Sequence, residues 1–179
     1  PNLTHIPINE TDQKNWITKK KNIITHHAKY DNIVYMHDYL VFDKNWYIGF
    51  KKFGDNFDIC MNIIKNKDGS RFRDWCAWDD PNINYPYSDI KTGTGSNHRI
   101  VLPSYDYDKK QFMYISGTYW VAKKHVMQNE PLDESLMWGQ SEDVEWSKRA
   151  LLKYSYKMNI HSSVHMLKDK KLSALYLEN

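Results

Sequence analysis

The sequence predicts an α/β domain built on a mixed sheet flanked by helices. Three observations predict it. Apolar runs of strand length recur at residues 33–36, 59–64, 112–122 and 154–167. Segments with helical spacing lie before the first, between the first and second, and between the last two. This order of elements is that expected of an α/β fold. At 179 residues the chain makes a single domain, 1–179, with a sizeable core.

Each element has its own signal. Residues 3–8 read as a short strand. Residues 12–29 have helical spacing, with Ile17, Ile24 and Ala28 on one face. Tyr30-Asp31-Asn32 is a turn. Ile33-Val34-Tyr35-Met36, β-branched and aromatic, reads as a buried strand. Trp46, Phe50, Phe53 and Phe57 follow at helical spacing, a stripe of core type. Residues 59–64 form a strand, and Asp68-Gly69 marks a hairpin turn. Residues 79–98, rich in Asp, Asn, Pro, Tyr, Gly and Ser, are the longest irregular stretch, and such loops tend to be functional or disordered. The strand at 112–122 is broken at Ser116-Gly117, which suits either a bulge or a close approach of backbone to ligand. A short helix follows at 123–129. Residues 141–152 form a helix with Val144 and Leu151 inward, and 154–167 is mostly strand.

Composition narrows the function classes. Hydrophobic residues are 41% and charged residues 26%, ordinary for a globular protein. Net charge is +3, and the basic residues are scattered apart from Lys19-Lys20-Lys21. A duplex-binding stripe, and so a nucleic-acid partner, is not expected; a phosphate-bearing small ligand suits this balance. Aromatic residues reach 15%, enough either to stack on sugars or to fill a core. Cys60 and Cys76 have no metal-type spacing and suggest no disulfide scaffold. No apolar run is long enough to span a membrane and no signal peptide is visible, so a cytoplasmic location is expected.

Two clusters carry chemistry. The first is Trp138-Gly139-Gln140-Ser141-Glu142-Asp143-Val144-Glu145-Trp146, with Arg149 just beyond. Ser141 is placed as an N-cap, which puts Glu142, Asp143 and Glu145 in the first helical turn. Adjacent carboxylates resist joint ionisation, so one can hold a proton near neutral pH and act as a general base. The competing reading is that they only complement the helix dipole. The second cluster is His37-Asp38, which interrupts the apolar run before Leu40-Val41-Phe42 resumes it. A carboxylate at the end of a core strand is either a satisfied polar residue or a metal ligand.

Taken in order, these residues resemble GT-A-fold nucleotide-sugar glycosyltransferases of the family-2 and galactosyltransferase-like types. Lys21-Asn22, Ala28 and the strand ending in His37-Asp38 resemble the nucleotide-sugar half, which ends in a metal-binding Asp-x-Asp. Ser116-Gly117, Trp138-Gly139, Glu142-Asp143 and Arg149 resemble the acceptor-side Gly motif and the Trp-Gly-x-Glu-Asp motif. Two departures stand out. The Asp-x-Asp is degenerate, since His37-Asp38-Tyr39 keeps one carboxylate. The chain also opens near the third strand of that fold, so the family's N-terminal strand-helix portion is expected to be missing.

The resemblance implies a metal-dependent transferase of the inverting kind. Residues 1–64 would form the nucleotide-sugar side and 65–179 the acceptor and catalytic side. Lys21, Asn22 and Asp38 would contact the donor, a UDP-sugar first among the candidates. Asp38 and His165 would hold Mn²⁺ or Mg²⁺, with His161 a weaker choice than His165. Trp75, Trp78, Gly117 and Trp138 would bind a glycan or other hydroxyl acceptor, beside Asp79, Asp80 and Trp120. Asp143 would be the base, with Glu142 beside it. For Lys21 a solvated helix face, and for the tryptophans simple packing, remain open. Two other classes compete: a His-Asp metal-dependent phosphohydrolase, suggested by His26-His27 ahead of His37-Asp38 but all-helical in fold, and a non-catalytic carbohydrate-binding module.

Overall fold

The computed structural model describes residues 3–9, 15–83, 100–168 and 175–176. Helix α1 (Ile17–His27) leads to strand β1 (Asn32–Met36), a turn, β2 (Leu40–Phe42) and helix α2 (Trp46–Phe53). Strands β3 (Ile59–Lys65), β4 (Cys76–Trp78) and β5 (Ile100–Leu102) follow. One 3-10 turn precedes β6 (Met113–Tyr114), and β7 (Tyr119–Lys123) runs straight into helix α3 (Lys124–Asn129). Helix α4 (Glu142–Ala150), β8 (Tyr156–Met166) and β9 (Leu175–Tyr176) complete the order. The irregular stretch expected at 79–98 is described only as far as residue 83.

The larger sheet is mixed, as the order of elements suggests. Its order is β1-β7-β3-β8-β2, with β3 and β8 parallel and the other neighbours antiparallel. Central β3 is buried along most of its length, while edge strand β1 buries only Ile33 and Tyr35, the alternation of a half-covered strand. Tyr35 stacks on Trp120 of β7, and Trp120 lies against Trp146 of α4. Both tryptophans are fully buried, so the centre of the core is aromatic. A second sheet, β6-β4-β5-β9, was not anticipated. Its strands have two or three residues each, too few for alternation to register.

Three local expectations need correction. Residues 3–8 form no regular strand. Helix α1 does not bury Ile17, Ile24 and Ala28; it buries Thr18, Lys21 and Thr25, and Ile24 is exposed. The cause is the neighbour. The backbone of the segment after α3 passes along this face, and buried backbone groups require polar partners. Thr18 Oγ1 donates to the Leu136 carbonyl at 2.7 Å, and Trp16 Nε1 to that of Glu134 at 2.7 Å. Ser141 does precede α4, but in a left-handed conformation (φ 61°) with no side-chain cap bond. The helix start is instead satisfied by its own carboxylate, since Asp143 accepts from the Val144 N–H at 2.9 Å.

Helix α2 seats on an irregularity of β8. Asn62 faces Asn159 and Ile63 faces Ser163, so residues 160–162 bulge outward. Gly49 packs on that bulge, and Ser162 Oγ donates to the Trp46 carbonyl at 2.8 Å. A Cβ at Gly49 would lie 2.0 Å from the His161 carbonyl oxygen, a backbone atom that cannot swing aside. Gly49→Ala is therefore expected to destabilise by about 2 kcal/mol or more. For a chain of this size that lowers the melting temperature by roughly 4–8 °C. An unchanged melting temperature would show that α2 is not seated this way.

Candidate functional site

The chain changes sheets between β6 and β7, and the change is made at residues 115–118. Ser116-Gly117 breaks the strand here, and the Tyr119 N–H closes the turn on the Ser116 carbonyl at 3.3 Å. Three distant segments dock on this bend. The Gly117 N–H donates to Asp143 Oδ2 at 2.8 Å. The Gly117 carbonyl accepts from Lys21 Nζ at 3.1 Å. The Thr118 carbonyl accepts from the His37 N–H at 3.2 Å. Ser147 adds a staple, accepting from the Ile115 N–H at 2.9 Å and donating to the Asp143 carbonyl at 2.6 Å. The bend thus brings the acidic start of α4, the inner face of α1 and the His37-Asp38 turn to one place.

Asp143 and Glu142 differ in setting. Asp143 is half-exposed, with each carboxylate oxygen taking one backbone N–H, from Gly117 and from Val144. Lone pairs remain on both oxygens for a further donor. Glu142 is 7% exposed. Burial pushes its carboxyl above the ordinary range and the Asp143 charge adds to this, while backbone N–H groups and Lys21 oppose it. Glu142 therefore supports from behind, and Asp143 faces outward. Gly117 leaves room for the contact: a Cβ there would lie 3.1 Å from Asp143 Oδ2, so the carboxylate would have to shift by a few tenths of an ångström.

Lys21 turns inward, not toward solvent. It is 6% exposed, with its ammonium 4.3 Å from the centroid of the Trp120 ring. Burial lowers its pKa to about 8 against the pull of Glu142 and Asp143. Asn22 is committed to the scaffold. Its amide donates to the Leu132 carbonyl at 2.9 Å and accepts from the Leu132 N–H at 3.0 Å. This two-way clasp departs from the donor contact expected of it. Arg149 is likewise structural, forking onto Glu145 and reaching Glu130 and the Pro131 carbonyl.

Asp38 is exposed in the turn after β1, beside the stacked rings of His37 and Tyr39. His165 is not brought to it as a second ligand. Its Nε2 lies 3.2 Å from Asp43 Oδ2, and the Asn45 N–H and this imidazole hold the Asp43 carboxyl below its usual range. His161 is exposed on the β8 bulge. Among the described residues no group of three His, Cys, Asp or Glu side chains converges as a metal set. A lone exposed carboxylate fits a different arrangement, in which a divalent cation arrives with a diphosphate and takes its remaining ligands from phosphate and water.

The aromatic residues divide. Trp75 is 4% exposed, stacks on Tyr156 at 4.5 Å and donates to the Tyr107 carbonyl, so it is core and presents no face to an acceptor. Trp120 is core as well. Asp80 is buried too. Burial opposes its ionisation, but Asn82, Tyr107 and Lys109 outweigh that and hold its carboxyl at about 2. Trp138 is exposed in the turn before α4. Trp78 and Asp79 line a cleft of about 240 Å³ with Gln111, Tyr114, Val144 and Lys148, one residue along α4 from Asp143.

No family model and no curated protein matches the sequence. Among solved structures the chain is similar to GalNAc-T7 with UDP, GalNAc and Mn²⁺, at a TM-score of 0.55 and 11% identity. The alignment covers 92% of this chain and 34% of that one, so the chain spans about a third of its length. The fold is glycosyltransferase-like. At this identity the likeness concerns the path of the backbone and transfers no residue roles. The mixed sheet also sets aside the all-helical phosphohydrolase, since His37-Asp38 lies past a strand end. No helix among the described residues is long and apolar enough to cross a membrane.

Lys21, Gly117 and the Glu142-Asp143 pair carry signals in the sequence, but their convergence does not. Thr118 and Ser147 carry none, because their contacts are made with backbone groups and leave no motif. The Asn22 clasp makes a prediction. Asn22→Ala would leave two backbone groups of Leu132 without this partner, expected to cost about 1–3 kcal/mol. Thermal unfolding should shift down while affinity for UDP is unchanged. An unshifted melt with weakened UDP binding would restore Asn22 to the donor site.

Proposed function

We propose that this chain carries the donor and catalytic elements of a GT-A-type glycosyltransferase, moving a sugar from a nucleotide diphosphate to an acceptor hydroxyl. One observation supports it above the others: on a glycosyltransferase-like fold, one bend gathers the acidic pair and the strand-end His37-Asp38 turn. A module that only binds carbohydrate needs no such juxtaposition.

In this reading Asp143 is the base. Its free lone pairs take the proton of the acceptor hydroxyl as that oxygen attacks the anomeric carbon. The new carbon–oxygen bond forms as the bond to the diphosphate breaks, and the electron pair leaves on the diphosphate with inversion at the carbon. The Gly117 and Val144 N–H groups hold the carboxylate in one orientation, and the Asp143 charge adds to the burial that raises the proton affinity of Glu142 behind it. Asp38 would contact the donor through a divalent cation, Mn²⁺ or Mg²⁺, which when bound offsets the charge of the leaving group. UDP-sugars are the first donors to try, given the UDP in the similar structure. Trp78 and Trp138 flank the start of α4 and are the acceptor-side candidates.

Two measurements test this. Asp143→Asn is nearly isosteric and is expected to lower turnover by about 10²- to 10⁴-fold with donor affinity nearly unchanged; turnover near that of the wild type would remove the base. Asp38→Ala is expected to abolish the gain in UDP affinity that Mn²⁺ confers while the melting temperature stays the same. An equal Mn²⁺-linked gain in both proteins would move the cation elsewhere.

A further inference from the structure

We infer that Lys21 is a positioning residue for the acidic pair, holding the carbonyl of Gly117 so that the N–H of the same residue orients Asp143, with its buried charge favouring ionised carboxylates beside it. The geometry is a chain of contacts. The Lys21 ammonium donates to the Gly117 carbonyl, and the N–H of the same residue donates to Asp143 Oδ2. The ammonium also rests over the Trp120 ring, with the indole itself fully buried. A cation desolvated in this way is stable only if opposite charge or dipoles compensate it. Here a carbonyl and an aromatic face do so by contact, and the charges of Glu142 and Asp143 favour the ammonium. The basic residue that the sequence places on a helix surface is thus turned onto the catalytic side of the bend.

The groups facing the inner side of α1 can be enumerated by element. From α4 come Glu142 and Asp143. From β1 comes the Tyr35 hydroxyl, 2.6 Å from Thr25 Oγ1. The segment after α3 brings Glu134, which meets Asn22, and α3 itself brings Lys124, whose ammonium donates to the Ala28 carbonyl. β7 contributes the neutral Trp120 ring. Of these, Glu142 and Asp143 are the charges that favour the protonated lysine, and burial opposes it. The sign is therefore fixed. Protonated Lys21 favours ionised carboxylates, and ionised carboxylates favour protonated Lys21.

The catalytic consequence rests on the reading of Asp143 as the base; the contact of Lys21 with the Gly117 carbonyl does not. This separates the two in experiment. The carboxyl carbons of Glu142 and Asp143 are followed by NMR against pH in the wild type, Lys21→Met and Lys21→Arg. The upper midpoint of the pair is expected to rise by about one pH unit or more in Lys21→Met and to return toward the wild type in Lys21→Arg. Hydrogen-exchange protection of the Gly117 amide should fall in the first variant and hold in the second. The converse is measured on the Lys21 ammonium in Glu142→Gln, where its midpoint should drop by a matching amount, because coupling is reciprocal. If Lys21→Met does not fold, this converse measurement decides alone. Midpoints that move by less than about 0.2 pH unit in both directions would overturn the proposal. Where turnover is measurable, the acidic limb of kcat should follow the carboxyl midpoint. A midpoint that moves while kcat does not keeps the role of Lys21 and removes the base.

Discussion

Everything at the candidate site depends on one residue, Gly117, having its backbone N–H and its carbonyl occupied from different directions. The N–H of Gly117 is held by Asp143 and its carbonyl by Lys21. The next carbonyl, that of Thr118, holds the His37 N–H. A strand could not offer this, because its neighbours in the sheet would take the same groups. The chain is free to do so only where it leaves one sheet and has not yet joined the other. Ser116-Gly117 marks that point, and the absence of a side chain at residue 117 lets the Asp143 carboxylate approach.

This arrangement explains why α1 buries a polar face. A helix that packed Ile17 and Ile24 inward would shield the core well but would leave the passing backbone of residues 132–138 and the Gly117 carbonyl without partners. Unmet buried polar groups cost more than a few exposed aliphatic side chains. Thr18, Lys21, Asn22 and Thr25 supply the hydrogen bonds, and apolar packing is delegated to Trp120, Trp146 and Tyr35 behind them. The pH dependence follows. Lys21 has a folded pKa near 8, below its unfolded value, so its burial opposes folding while it is charged, and that penalty fades as pH rises from about 8 toward 10. Glu142 has the opposite origin and the same sense of burial: its folded pKa is raised, so its penalty appears as pH rises above its unfolded value of 4.5.

The sequence was legible where a pattern is repeated or punctuated. The strands at β1 and β3 follow from apolar runs with β-branched residues, α2 from its aromatic stripe, and the interruption at Ser116-Gly117 from composition alone. Glu142-Asp143 could be placed at a helix start for the same reason. What escaped was set by tertiary partners. The inward turn of Lys21 reflects the Gly117 carbonyl and the acidic pair, the Asn22 clasp reflects Leu132, and the burial of Trp75 reflects Tyr156 and Tyr107. His165 illustrates the limit well. The resemblance implied a metal ligand there, but cross-strand pairing opposite Val41 puts it beside Asp43.

The proposed function requires donor and acidic pair to meet at the Gly117 bend. The most direct measurement is backbone amide NMR of the labelled chain titrated with UDP and Mn²⁺. The largest shift changes are expected to fall together on residues 37–39, 116–118 and 139–144. Saturable changes confined to the cleft lined by Trp78 and Lys148, or binding that leaves the Gly117 amide unmoved, would contradict it.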